Sequence, residues 1–325
     1  MTTRPRIVIG TLAALTLAQA FFTSVKAQGC PGPLKIVVAF PPGSPDDVIA
    51  RILAQRLGAS VDVAIVENMP GASGKIGTAA VARAAADGCT LLVANANATL
   101  HAAGAAKTPY EIQTSFAPIA FLIEAPETIS VHPALPARTM PELVALLKAN
   151  PGKYAYASPG FASTPHLAGE SLFRNTLGVD VTHVPHQRGP PAVNSTMGGH
   201  TQIVHLTLPV VASAVKDGRL RMLAVADRRR HPMFPDVPTL AEAGIGDHDV
   251  GYWNALLAPQ GTPQPVIDRL HQKVSGIMAS VEVVGQLAAM GFTPRTGSPA
   301  DLARFIADDI AKTKATLERT KITLE

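Results

Sequence analysis

The chain has 325 residues, of which 47% are hydrophobic, 16% charged and only 5% aromatic, with 28 Lys+Arg against 24 Asp+Glu. That length accommodates two domains of ordinary size, and the aliphatic content excludes a disordered chain. Basic residues form no cluster interleaved with aromatics, only the short run Arg228, Arg229 and Arg230, which excludes a nucleic-acid-binding surface.

Arg4 and Arg6 precede an apolar stretch over 7–22, and Val25-Lys26-Ala27 follows with small residues at its first and third positions. This is the pattern of a secretory signal peptide, predicted to span 1–27 and to be cleaved after Ala27. The apolar part falls short of the roughly 20 residues that cross a bilayer. A lipoprotein reading built on Cys30 lacks the Leu-rich approach, since Ala27-Gln28-Gly29 precedes it. Arg4, Arg6 and Lys26 leave with the signal, so the mature chain carries 25 Lys+Arg against 24 Asp+Glu. The basic excess belongs mostly to the signal, and the expected location is the periplasm.

Past the signal, strand and helix patterns alternate. An apolar run at 35–40 leads to an amphipathic helix over 45–57, with Val48, Ile52, Leu53 and Leu57 on one face. A strand at 61–66, a helix at 76–85 and a strand at 90–94 complete a βαβαβ series, which implies a parallel sheet covered on both faces. A second series follows: strand 154–158, helix 165–177, strand 179–184, a short helix at 191–197, strand 202–206, helix 209–216 stopped by Gly218, and strand 221–226. A strand at 255–257 precedes helices at 263–281, 283–290 and 299–321. Two such units, with the chain returning to the first, predict an α/β two-lobed clamshell. Ligands of open α/β sheets sit outside the carboxyl ends of the strands, so the turns that follow strands are the place to look.

Both cysteines lie in the mature chain, Cys30 just before the first strand and Cys89 just before the third. In a sheet of flavodoxin-like order those strands are parallel neighbours about 5 Å apart. That spacing lies within the roughly 4.4–6.8 Å a disulfide tolerates, so the pair is expected to be bridged. Two buried free thiols are the alternative.

Three turns of the first unit hold polar groups without a strong nucleophile. In the first, Phe40-Pro41-Pro42-Gly43-Ser44-Pro45-Asp46-Asp47, Ser44 suits a helix N-cap, Pro45 the first helical position and Asp47 the reciprocal cap. The freed N–H groups of such a helix end favour an anion, unless Asp46 and Asp47 satisfy that end themselves. The second turn, over 67–75, brings main-chain amides above the sheet but lacks the spacing of a phosphate-binding loop. The third carries Asn95, Asn97 and Thr99.

Several stretches together resemble one family. IVVAFPPGSPDD (36–47), VENMPGASGKIGTAAVARAAADGCTLL (66–92), SPGFASTPHLAGE (158–170), PDVPTLAEAG (235–244) and LLAPQGTP (256–263) are similar to the Bug-type solute-binding proteins of tripartite tricarboxylate transporters. The resemblance runs along nearly the whole mature chain. It implies a periplasmic-binding-protein-like fold (type II, Venus flytrap), each lobe a mostly parallel sheet flanked by helices. One domain would comprise 28–126 with 246–325, and the other 127–245.

It also implies a small carboxylate ligand, no cofactor, and delivery by a monomer to the membrane subunits of the transporter. The residues that match the family's ligand turns are Phe40, Pro41, Gly43, Ser44 and Asp47, then Ser158, Gly160, Ser163, Thr164 and His166. The chain departs from the family at Ser44, where a second glycine is usual, and at Cys89, where an aromatic is common. It departs again at His186-Gln187-Arg188-Gly189, where the family tends to read Tyr-Lys-Gly. His186 and Arg188 are therefore candidates for contact with the far end of the ligand.

Two other chemistries are weighed. Ser163 and His166, with Asp46 or Asp47, would suggest a hydrolase, but no G-x-S-x-G elbow occurs and Ser163 is accounted for as a cap. His183 and His186 with His166, His200 or His205 would suggest zinc, but Pro185 breaks the helical spacing of the first pair. A ligand-sensing role that presents the solute to a sensor kinase needs the same clamshell and stays open as the alternative to transport.

Overall fold

Turn chemistry and hydrophobic alternation set the order of elements along this chain. The computed structural model describes residues 30, 32–58, 63–105, 107–161, 163–246 and 251–320. The expected signal peptide, 1–27, lies outside the described residues. The first elements are β1 (Leu34–Val38), α1 (Pro45–Leu57), β2 (Ala64–Asn68), α2 (Lys75–Ala82), β3 (Thr90–Asn95) and the short α3 (Ala96–Leu100). There follow β4 (Phe116–Val131), α4 (Met140–Ala149), β5 (Ala155–Ser158), α5 (Thr164–Glu170), β6 (Thr182–Pro185), α6 (Gly189–Met197), β7 (Ile203–Thr207), α7 (Leu208–Lys216) and β8 (Arg221–Ala226). The last are β9 (Gly251–Pro259), α8 (Gln264–Met278), α9 (Val281–Ala289), β10 (Thr293–Pro294) and α10 (Pro299–Thr320).

The caps act as their side chains dictate. Ser44, Asn95, Thr139 and Ser163 each stand in extended backbone before a helix and accept from an N–H of its first turn. The helix expected over 165–177 begins in this way as α5, then widens into a π turn over Ser171–Thr176.

Strand β1 lies parallel to β2 on one side and to β3 on the other. Strand β9 runs antiparallel to β3 and to the first half of β4. Strands β6, β5 and β7 make a second parallel set, which the second half of β4 and then β8 extend antiparallel. The fold is thus an α/β two-lobed clamshell with helices on the sheet faces. In the first lobe, Ile49, Leu53 and Leu57 of α1 share a core with Val274 and Met278 of α8, while Leu302 and Ile306 of α10 cover the other face beside Trp253. In the second, Met140, Leu143 and Leu147 of α4 pack with Phe173, and α6 and α7 close the opposite face. Leu317 of α10 meets Leu100 and Leu167, so this helix touches both lobes.

Strand β4 and helix α4 are not announced by the alternation of short elements. Pro118 and Pro126 stand inside β4, and proline in an apolar run argues against a central strand. The ladder to β9 absorbs this with register shifts between Pro118 and Ala120 and between Phe121 and Ile123. Strand β6 begins later than the expected 179, because Val179 and Val181 are buried in the second lobe's core ahead of the ladder. Apolar character there reports burial rather than pairing.

Cys30 and Cys89 form a disulfide with a Cα–Cα separation of 5.5 Å. It ties the starting ends of β1 and β3, where the Lys35 N–H also donates to the Cys89 carbonyl at 2.9 Å. The flavodoxin-like order of these two strands is what brings the cysteines together.

Candidate ligand-binding site

The turn after β1 holds itself together with its own carboxylates. Asp47 Oδ2 accepts from the Gly43 N–H at 2.9 Å and from Arg51 Nε at 2.9 Å, and Oδ1 accepts from Asn68 Nδ2 at 2.9 Å. Burial alone would raise its pKa, but the bonds from Arg51, Gly43 and Asn68 and the Arg51 charge outweigh it and hold the carboxyl below the usual range. The Ser44 N–H donates to the Pro41 carbonyl, and the Phe40 carbonyl accepts from Asn68. Asp46 is buried and accepts from Asn95 Nδ2 at 2.8 Å and Asn254 Nδ2 at 2.9 Å, with Tyr252 beside them. Burial pushes its pKa up. The end of α1 is therefore satisfied from within.

Open donors lie one turn away. Gly71, Ala72, Ser73 and Gly74 all have positive φ, at 136°, 48°, 55° and 91°. For Ala72 and Ser73 this left-handed region is strained, a condition that clusters at ligand clamps. The Ala72 and Ser73 N–H groups find no acceptor among the described residues. Gly74 packs under the Phe40 ring, and a small cavity beside them is lined by Asn97 and His101. The Asn97 side chain has no hydrogen-bond partner among the described residues, whereas Asn95 is used at both ends, since its Oδ1 caps the Asn97 N–H. Thr99 turns away, its buried hydroxyl donating to Asp309 of α10 at 2.5 Å.

In the second lobe the corresponding turn follows β5. Ser158 Oγ lies 3.1 Å from the Gly160 carbonyl and 2.7 Å from His183 Nε2. Ser163 Oγ donates to the Gly160 carbonyl at 2.8 Å and accepts from the His166 N–H at 3.3 Å. The two hydroxyls shape the turn around Gly160. The N–H groups of Phe161 and Thr164 find no acceptor among the described residues. His166 is buried and stacks on His183 at 3.9 Å between ring centroids. Burial lowers the pKa of both, that of His183 to about 3, with repulsion from His166 and His186 adding to it. At neutral pH the two imidazoles carry no charge.

The His186 N–H donates to the Ser158 carbonyl, which brings the β6 turn against the β5 turn. Its ring Nε2 is buried and has no hydrogen-bond partner among the described residues. Arg188 is exposed at the start of α6 and its side chain makes no capping bond. A larger cavity, of about 1270 Å³, lies between α10 and the loop after β8 and includes Thr164 but none of the other expected site residues. The turns at the strand ends are the better candidate, because strand order and free donors converge there.

Asn68, Asn254 and Tyr252 are not singled out by sequence, and His183 is weighed there only as a zinc ligand. Their signal is a polar residue in an otherwise apolar strand, such as Asn254 within Gly251–Pro259, since a buried amide of that kind must find partners. Among the described residues no group of His, Cys, Asp and Glu is arranged to hold a metal, and no helix is long and apolar enough to cross a membrane.

Facing α/β lobes whose strand-end turns offer amides, hydroxyls and neutral rings define a solute-binding protein. Residues 47–322 match the tripartite tricarboxylate transporter family receptor, and the chain belongs to that family. It is 35% identical to protein BugT of Bordetella pertussis over 292 residues, 89% of either chain. A solved periplasmic transporter aligns with a TM-score of 0.81 at 32% identity, covering 91% of this chain and 100% of that one. An R. palustris protein with adipate aligns with a TM-score of 0.80 at 28% identity, over 90% of this chain and 98% of its own. The family is one of receptors, not enzymes.

Proposed function

We propose that this protein is exported by residues 1–27, begins at Gln28, and captures a small carboxylate between its lobes for a tripartite transporter. The lobes would be 28–126 with 246–325 and 127–245, a division supported by β4, which leaves β9 at Pro126 and takes up β7 and β8 at Glu127. The observation that carries the reading is the set of N–H groups at Ala72, Ser73, Phe161 and Thr164 that find no acceptor among the described residues, one pair in each lobe, in a chain of this receptor family. Amides without an acceptor suit a carboxylate, and each good bond to a charged group is worth about 1.5–3 kcal/mol. Lys75, next to the first pair, makes no ion pair among the described residues, and its charge reaches His101. The relative that holds adipate supports a carboxylate as the solute.

In this reading Phe40, Pro41, Gly43, Ser44, Asp47 and Asn95 frame the first turn, with Asn97 offering a side-chain amide. Ser158, Gly160, Ser163, Thr164 and His166 form the second. Ser158→Ala combined with Ser163→Ala frees Gly160 and misplaces the amides, so affinity for the best ligand of a carboxylate panel should fall at least tenfold by calorimetry, with the circular dichroism of the fold retained. Unchanged affinity would remove the site from this turn. Amino-terminal sequencing of exported protein should begin at Gln28, and a chain that keeps 7–22 refutes export by cleavage. The protein works as a monomer in the periplasm. A sensor kinase is the alternative recipient, and a pull-down with either receptor separates the two.

A further inference from the structure

The turn after β5 carries an aromatic face that none of the hydrogen bonding above uses. Phe161 is 61% exposed, the one aromatic ring among the exposed large hydrophobic side chains of the described residues. Its ring lies 5.0 Å from that of His166, His166 stacks on His183 at 3.9 Å, and His183 lies 4.9 Å from buried Tyr156. The exposed phenyl is thus the outer plate of a stack anchored in the second lobe's core, and its position is set from beneath. Offset or tilted stacking of one more ring on such a plate is favourable beyond the area it covers. Close to the same turn, His186 Nε2 is buried without a partner among the described residues, and a buried polar atom left unpaired is costly unless a ligand completes it.

The charges around this wall point the same way. His166 and His183 are neutral at pH 7 for the burial reasons given above. Arg188 is exposed, and a solvated arginine holds an anion weakly. The turns after β5 and β6 therefore offer a flat apolar face and one hydrogen-bonding nitrogen but, among their described residues, no buried cation for a second carboxylate. We propose that the solute is an aromatic monocarboxylate, its ring stacked on Phe161 and a hydroxyl or carbonyl substituent paired with His186 Nε2. The proposal rests on the carboxylate-receptor reading and narrows it. Either imidazole tautomer serves, since Nε2 then donates or accepts.

Calorimetry on the chain from Gln28, with benzoate, 4-hydroxybenzoate, butyrate and adipate as probes, tests it. The expected order is 4-hydroxybenzoate, then benzoate, with butyrate and adipate at least tenfold weaker. Phe161→Ala should cost the aromatic acids about tenfold more than it costs butyrate, and Phe161→Leu, which keeps apolar area, should cost them less than Phe161→Ala. His186→Phe should abolish the advantage of 4-hydroxybenzoate over benzoate. Adipate or butyrate binding as tightly as the aromatic acids overturns this inference and leaves the receptor reading intact. Binding of none of the four overturns the inference, and silence across a wider carboxylate panel overturns the receptor reading as well.

Discussion

Glu127 places a carboxyl in the interior at the point where β4 exchanges one lobe's ladder for the other's. Its Oε2 has no hydrogen-bond partner among the described residues. His205 Nδ1 stands 3.9 Å away, within reach of an ion pair, but the same nitrogen lies 3.0 Å from the Pro165 carbonyl and is engaged there. Burial, uncompensated, raises the Glu127 pKa to about 8. The sign follows: between its unfolded value of about 4.3 and that folded value, the native state keeps a proton that the unfolded state has lost. Stability then falls as pH rises through that window, by up to roughly 1.4 kcal/mol per pH unit. Glu127→Gln should flatten the dependence of the urea midpoint between pH 5 and 8 and leave the variant more stable than the parent at pH 8. A parent whose midpoint does not fall over that range would contradict a neutral Glu127. Nothing in the local sequence marks this residue, because its burial is made by strands some 80 to 100 positions later. The caps were legible for the opposite reason. Ser44 and Ser163 act within three residues of themselves, while Asp46 finds Asn254 across 208 positions.

At the scale of elements, the short strands and capped helices could be read from periodicity, and their order gave the parallel β2-β1-β3 set and with it the disulfide. What could not be read was β4, whose prolines disguise a strand of 16 residues. The end of α1 also had two readings in sequence. Ser44 caps the Asp47 N–H while Asp47 holds the Gly43 N–H and Asp46 turns to Asn95 and Asn254, so that end is held from within rather than left open to an anion. Close packing between elements is equally silent in a single sequence. Helix α2 crosses β1 so tightly at Gly77 that an added Cβ would stand 2.8 Å from the Met69 carbonyl oxygen and 2.9 Å from Ala39 Cα. Alanine in place of a helical glycine gains up to about 1 kcal/mol. Overpacking against main-chain atoms that cannot swing aside costs about 1–3 kcal/mol. The second effect should win, so Gly77→Ala should lower stability by about 1 kcal/mol in urea denaturation, and a stabilised variant would show that α2 can lift away.

For the whole molecule, the disulfide and the two lobes belong to one account. A bridge that closes a loop of about 60 residues stabilises by about 4 kcal/mol in the chain-entropy model, an advantage realised only in an oxidising compartment. Such a compartment is the one to which the proposed export by residues 1–27 leads. In the proposed site each lobe supplies one turn, with amides that find no acceptor among the described residues at Ala72 and Ser73 in one and at Phe161 and Thr164 in the other. A ligand bound by both stabilises the folded state in proportion to its occupancy, by about 2.7 kcal/mol at 100 times its dissociation constant. Thermal unfolding of the chain from Gln28 against a panel of aliphatic and aromatic mono- and dicarboxylates therefore decides whether the protein is a carboxylate receptor. At least one small carboxylate should raise the midpoint in a saturable, concentration-dependent way while the corresponding amides do not. A midpoint that no carboxylate moves would contradict that role.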